Sequence, residues 1–197
     1  MFRRFVGLLC LGLAVQANAA IIDRGRTTLD TSLGYQWLDV TLTRGCGYDQ
    51  LARGEFCNGI NTSNWTFASS TDVAALWKNA GIDKAQGQYN GDQFDEISNL
   101  ANLLGLSNSA TAVQINSIAW VFDNPAGSDT ARIAQLSYRP DAQIAMYVLF
   151  SATPGAYSEV GAYLFRPSAV PLPAAGWLFA SALAGLIGRK WFARRHK

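Results

Sequence analysis

The sequence predicts an α+β domain carried between two targeting segments. Three observations lead there. The first half of the chain holds two stretches with apolar residues at helical spacing. After residue 112 the pattern changes to short runs rich in β-branched and aromatic residues. Both ends are apolar and basic in a way the middle is not.

The elements follow in chain order. "TSLGYQWLDVTLTRG" (31–45) reads as one long strand or a strand pair, with Leu38, Val40 and Leu42 on one face and Tyr35 and Trp37 on the other. "CGYDQLARGEFC" (46–57) reads as a short helical turn held at both ends by cysteines. Cys46 and Cys57 are the only cysteines of the middle region, eleven residues apart, and in an oxidising compartment they are expected to form a disulfide. In "WTFASSTDVAALWKNAGI" (65–82), Ser70 or Thr71 can cap a helix whose buried stripe is Val73, Leu76, Trp77 and Ala80, with Asp72 at the positive end of its dipole. Gly81 stops it, and Ile82 can fold back. A second helix reads from Asp92 to Gly105, with Phe94, Ile97, Leu100, Ala101 and Leu104 as its stripe and Asp95 and Glu96 in its first turn. "AVQINSIAWVFDN", "RIAQLSYRP", "QIAMYVLFSA" and "EVGAYLFRP" then read as an antiparallel meander. Turn signals such as Asn124-Pro125-Ala126-Gly127 and Arg139-Pro140-Asp141 separate the strands. No Gly/Ser-rich linker divides this body, and Arg166-Pro167-Ser168 reads as its connector to the C-terminal segment.

The two ends read as delivery signals. "MFRRFVGLLCLGLAVQANAA" has Arg3 and Arg4, an apolar run, then Ala17-Asn18-Ala19, which predicts a signal peptide over residues 1–19 with cleavage before Ala20. From Ala169 to Gly188 there is no charged residue. A helix over residues 171–188 would span about 27 Å at ~1.5 Å per residue, close to the ~30 Å hydrocarbon core of a bilayer. Gly176, Ala180, Ala184 and Gly188 make one face small, and Trp177 and Trp191 fall near the two water boundaries. Arg189, Lys190, Arg194, Arg195 and Lys197 follow in the segment 189–197; cationic flanks stay in the cytoplasm, which places the body, residues 20–168, on the far side.

Residues 169–197 resemble the PEP-CTERM sorting signal of Gram-negative bacteria in its VPLPA variant. The likeness rests on Val170, Pro171, Leu172, Pro173 and Ala174, followed by the span and the basic cluster. Leu172 stands where the namesake motif has Glu. The resemblance implies an exported protein that uses the translocon and signal peptidase. A membrane transpeptidase of the exosortase type would then cut near the proline motif and pass it to the cell surface or extracellular matrix, where exopolysaccharide is a candidate partner. Pro171 and Pro173 fix φ and keep the chain extended, as a cutting enzyme requires. A weaker likeness covers "LGYQWLDV" and "WTFASSTDVAALWKNAGI", which resemble the first half of ectodomains found in many VPLPA-tailed proteins; Thr66 replaces their usual Arg. The order strand, two helices, several strands is also similar to C-type-lectin-like domains, although fold alone does not license sugar binding.

Composition narrows the chemistry. Of sixteen Lys and Arg, seven lie in the two ends, leaving nine against all fourteen carboxylates, so the body carries −5 although the whole chain is +2. A clustered basic face for nucleic acid is therefore not expected. The single histidine, His196, lies in the basic tail, which removes Ser-His-Asp, Cys-His and His-ligated zinc chemistry from the body. No cofactor or metal is implied. Asp92, Asp95 and Glu96 in "NGDQFDE" are the densest carboxylates; helix capping explains them more simply than a glycosidase pair. Asn90, Asp92 and Asp95 lack the alternation of a calcium loop. Trp37, Trp77 and Trp120 lie on apolar stretches and are expected in the core, whereas Trp65, in the polar "NTSNWTF", is the candidate ligand contact. The sequence thus predicts a non-enzymatic exported surface or matrix protein. The alternative is a secreted carboxylate-dependent hydrolase acting on envelope or matrix polysaccharide.

Overall fold

A computed structural model describes residues 20–168 apart from 85, 112–113, 125–126 and 155–158. The expected signal peptide with its expected cut at Ala17, Ala19 and Ala20, the proline motif of residues 170–174, the expected span and the basic tail lie outside the described residues, except that Ala20 itself is described. Among the described residues no helix is long and apolar enough to cross a membrane.

The body is α+β. Its first half holds six short strands, β1 (Ile21–Asp23), β2 (Thr27–Asp30), β3 (Tyr35–Leu38), β4 (Phe56–Cys57), β5 (Ile60–Asn61) and β6 (Thr66–Phe67). Three helices follow or interleave with them: α1 (Tyr48–Ala52), α2 (Ser70–Asn79) and α3 (Phe94–Leu104). The second half is β7 (Asn108–Thr111), β8 (Gln114–Val121), β9 (Ala131–Arg139), β10 (Ile144–Ala152), β11 (Gly161–Ala162) and β12 (Leu164–Pro167). One five-stranded sheet has the order β1-β2-β3-β12-β6; the other runs β10-β9-β8-β11, with β7 also on β8.

The four C-terminal runs do not form one meander. β8, β9 and β10 pair antiparallel as expected, but β11 runs parallel to β8 and β12 crosses to the first sheet, between β3 and β6. The strand expected through Leu42 also stops early, at Leu38. The carboxylate of Asp39 accepts from the Thr41 N–H at 2.8 Å and the Thr41 hydroxyl at 2.6 Å, which closes a 3-10 turn over Val40–Thr43. Such local side-chain bonds give the backbone an alternative to a ladder.

The helices hold closer to their sequence signals. Ser69, one residue before the expected caps, makes a reciprocal capping box with Asp72. Gly81 takes φ +85, a conformation that costs glycine nothing, and the Ile82 N–H returns to the Trp77 carbonyl, burying Ile82. α3 begins at Phe94, so Asp92 lies before it.

Two apolar clusters hold these layers together. The larger lies between the sheets and the helices: Trp37 and Phe165 from the first sheet, Tyr163 from the link between β11 and β12, Leu76 and Trp77 from α2, Ile97, Leu100 and Leu104 from α3, and Val121 and Leu136 from the second. The smaller gathers Leu38, Leu164, Trp120 and Ile133 beneath Cys46, Tyr48, Leu51 and Cys57. The expected disulfide Cys46–Cys57 joins this lobe, with a Cα–Cα distance of 6.1 Å. In the chain-entropy treatment a loop of this size contributes about 2.5–3 kcal/mol.

Candidate functional site

Two places on the body assemble side chains with binding chemistry. The first is a groove of about 330 Å³ where β1, the end of α2 and the start of α3 meet. Ile21, Asn79 and Ala80 line it together with Asp95, Glu96, Asn99, Leu100 and Leu103 of α3. Asn79 is oriented from below: its amide donates to Asp30 Oδ2 at 2.9 Å, while Asp30 Oδ1 accepts the N–H groups of Ser32 and Leu33. Asp30 is fully buried, and three hydrogen bonds satisfy it there.

Asp95 and Glu96 both line the groove as neighbours in the first turn of α3. They come from one turn of one helix, and among the described residues no other carboxylate lines the groove. A glycosidase sets its two acids on opposite sides of the bond it cuts. This groove instead offers two neighbouring carboxylates and two asparagine amides beside Ile21, Leu100 and Leu103. Of the other polar residues in that stretch, Asp92 is exposed and pairs with Lys84 at 3.4 Å, and Asn90 exchanges backbone bonds with Ala145. Asn90, Asp92 and Asp95 therefore go three separate ways. Among the described residues no group of three or more His, Cys, Asp or Glu could hold a metal ion.

The second place is the outer face of the first sheet. Arg166 lies directly opposite Gln36, which lies opposite Leu29. Arg166 Nε donates to Gln36 Oε1 at 3.0 Å, and Gln36 Nε2 donates to Thr27 Oγ1 at 2.7 Å, a row across three adjacent strands. At its end the Arg166 guanidinium stacks over the Trp65 ring, 4.5 Å from the centroid. Trp65 is half-buried and packs against the smaller cluster from its other side. The indole is thus not an open stacking platform. It is the seat of an exposed arginine.

Trp37, Trp77 and Trp120 are core residues, as their positions on apolar stretches predict. Tyr163, fully buried beside Trp77 and Ser117, has its hydroxyl pushed far above the usual phenol range by burial. Burial, with Asp123 and Asp49 nearby, also raises Tyr48.

Sequence reasoning picked out Trp65, Asp95 and Glu96 but missed Arg166, Gln36 and Asn79. Arg166-Pro167 is part of β12 rather than a connector, and Ser168 donates its N–H to the Gly34 carbonyl at 2.8 Å. The alternation Leu164, Phe165, Arg166 carried a signal that Arg166 points away from Phe165. The partner across the sheet, 130 residues earlier, was not readable. No protein family, no curated protein and no solved structure matches the chain.

Proposed function

We propose that the chain is a non-enzymatic exported protein of the cell surface or extracellular matrix. Its C-terminal helix holds it in the inner membrane until a transpeptidase of the exosortase type removes the tail. The observation that carries this reading is the ordered C-terminal pattern, Val170 to Ala174, then an uncharged span, then five cations. The disulfide supports it, since such bonds persist in oxidising compartments. So do the body's ends: Ala20 exchanges hydrogen bonds with Thr31, and Ser168 bonds to Gly34, so both leave beside the turn between β2 and β3. The lectin-like reading of the body draws on the pairing of β3 with the last strand, β12, around two helices and a separate antiparallel sheet.

Mass spectrometry of the mature protein from its native host tests the proposal. The expected product begins at Ala20 and ends near the proline motif. A product retaining Lys197 would refute the sorting step. The second reading, a hydrolase, is favoured only by the two carboxylates in the groove; turnover of a matrix polysaccharide that Asp95→Asn and Glu96→Gln together abolish would establish it.

A further inference from the structure

β1 is the outer strand of the first sheet and, among the described residues, pairs only with β2. The Arg24 N–H bonds to the Thr27 carbonyl and the Thr31 N–H to the Ala20 carbonyl, so Ala20, Ile22 and Arg24 turn their backbone groups toward β2. Alternation then turns the N–H and C=O groups of Ile21 and Asp23 outward, where no described backbone group meets them. Such an edge is a template for a further strand.

The groove follows this edge. The hydroxyl of Thr28, which lies opposite Asp23, donates to the Leu103 carbonyl at 2.7 Å. Asp30, opposite Ile21, holds Asn79, and two residues on, a Cβ at Gly81 would lie 3.3 Å from Glu96 Cγ. α3 therefore runs beside β1 with Glu96 toward Ile21 and Leu103 toward Asp23. Asp95, Asn99 and Leu103, four residues apart, form one row of that helix and all line the groove. The row passes from acid through amide to aliphatic over about 12 Å of helix. Alternate side chains of an extended strand, ~6.7 Å apart, match that length in one or two steps.

Charge decides the occupant. Asp95 and Glu96 are exposed, and among the described residues neither pairs with a cation. Asp129 shares that lack but lies outside the groove lining. Beside β1 an open edge, a cavity and two such acids coincide. A second copy of β1 is the wrong strand: two-fold pairing about Ile22 would set each copy's Asp23 opposite the other's Ile21, next to Asp95 and Glu96. Bodies of −5 also repel each other. The complement is a strand that carries Lys or Arg.

We propose that the groove docks an extended, basic peptide of another protein, which adds as a strand to β1. Its Lys or Arg lies against Asp95 and Glu96, and an apolar side chain lies against Leu100 and Leu103. Strand addition takes its affinity from main-chain bonds and its specificity from alternate side chains. The site does not depend on the sorting step. The test titrates the detergent-solubilised full chain, labelled for amide NMR, with acetyl-Thr-Lys-Thr-Leu-Thr-amide. Saturable shifts of the Ile21 and Asp23 amides are expected at millimolar peptide. N-methylation of the peptide's Lys and Leu, whose N–H groups face β1 in this pairing, is expected to abolish them. N-methylation of the middle Thr, whose N–H faces away, is expected to leave them. Asp95→Asn with Glu96→Gln is expected to weaken binding about five- to tenfold. Glu96→Lys is expected to reverse the preference toward the peptide with Glu in place of Lys. Both positions are exposed, so near-ultraviolet circular dichroism is expected to stay unchanged in these variants. No saturable shift, or equal binding of the peptide N-methylated at Lys and Leu, would overturn strand addition. Full binding by the double variant would overturn recognition of the cation. Shifts at Ile21 and Asp23 that follow protein concentration without peptide would assign the edge to a second copy and refute the proposal.

Discussion

Gly161→Ala tests how β11 is held. β11 is squeezed between β8, which it pairs at Ala119 and Trp120, and the Val40–Thr43 turn. A Cβ on Gly161 would meet the Val40 carbonyl oxygen at 2.1 Å and its carbon at 2.9 Å, both backbone atoms. Ordinary contact begins near 3.4 Å, so one strand or the turn must retreat by more than an ångström. Overpacking of this kind costs about 1–3 kcal/mol. The retreat would also pull the Ala162 N–H from Thr43 Oγ1, now 2.8 Å away, for about 1 kcal/mol more. The expected loss is about 3–4 kcal/mol, a large share of the roughly 5–15 kcal/mol available to a domain. At about 2–4 °C per kcal/mol this lowers the melting temperature by about 10 °C. Gly47→Ala is the control: its φ is −66 and nothing lies within 4 Å of its Cβ. Urea unfolding of the detergent-solubilised full chain, followed by near-ultraviolet circular dichroism, measures both. Gly161→Ala within about 1 kcal/mol of wild type would mean that the turn yields freely and does not clamp β11.

Other perturbations have equally direct readouts. Replacing Cys46 and Cys57 by Ser is expected to cost about 2.5–3 kcal/mol and to loosen Tyr48 and Leu51 first; a melting curve unmoved by reductant would show that the bridge contributes nothing. Ser69→Ala removes the cap of α2 for about 1 kcal/mol, and Asp72→Ala, the other half of the box, should cost a similar amount without adding fully to it in the double variant. The alkaline limb tests Tyr163. Its folded pKa lies above that of the unfolded chain, so its contribution is complete below about pH 10 and is lost as pH rises through the folded value. Stability should fall above about pH 10 with a shallower slope in Tyr163→Phe, and identical slopes would count against burial as the cause.

Much of the local structure could be read from residue order because it is settled within a few residues. The stripe of Val73, Leu76 and Trp77 faces the core because a 3.6-residue period leaves no other face apolar. Gly81 ends α2 because the left-handed position suits no larger side chain as well. The cysteine pair closes because eleven residues let the chain return on itself. The 3-10 turn at Val40 was local too, yet hydrophobic alternation outweighed the Asp39 signal that ends the strand.

Residue order alone determined the two longer helices, the three long strands β8, β9 and β10, the charge separation between body and ends, and the absence of imidazole from the body. The tertiary structure decided where distant segments meet. It split "GAYLFRP" between two sheets, brought Arg166 beside Gln36 and over Trp65, and put Asn79 and Asp95 in the lining of one groove. The physical reason is that strand partners are chosen by burial of whole faces, and a sequence records each face but not its neighbour.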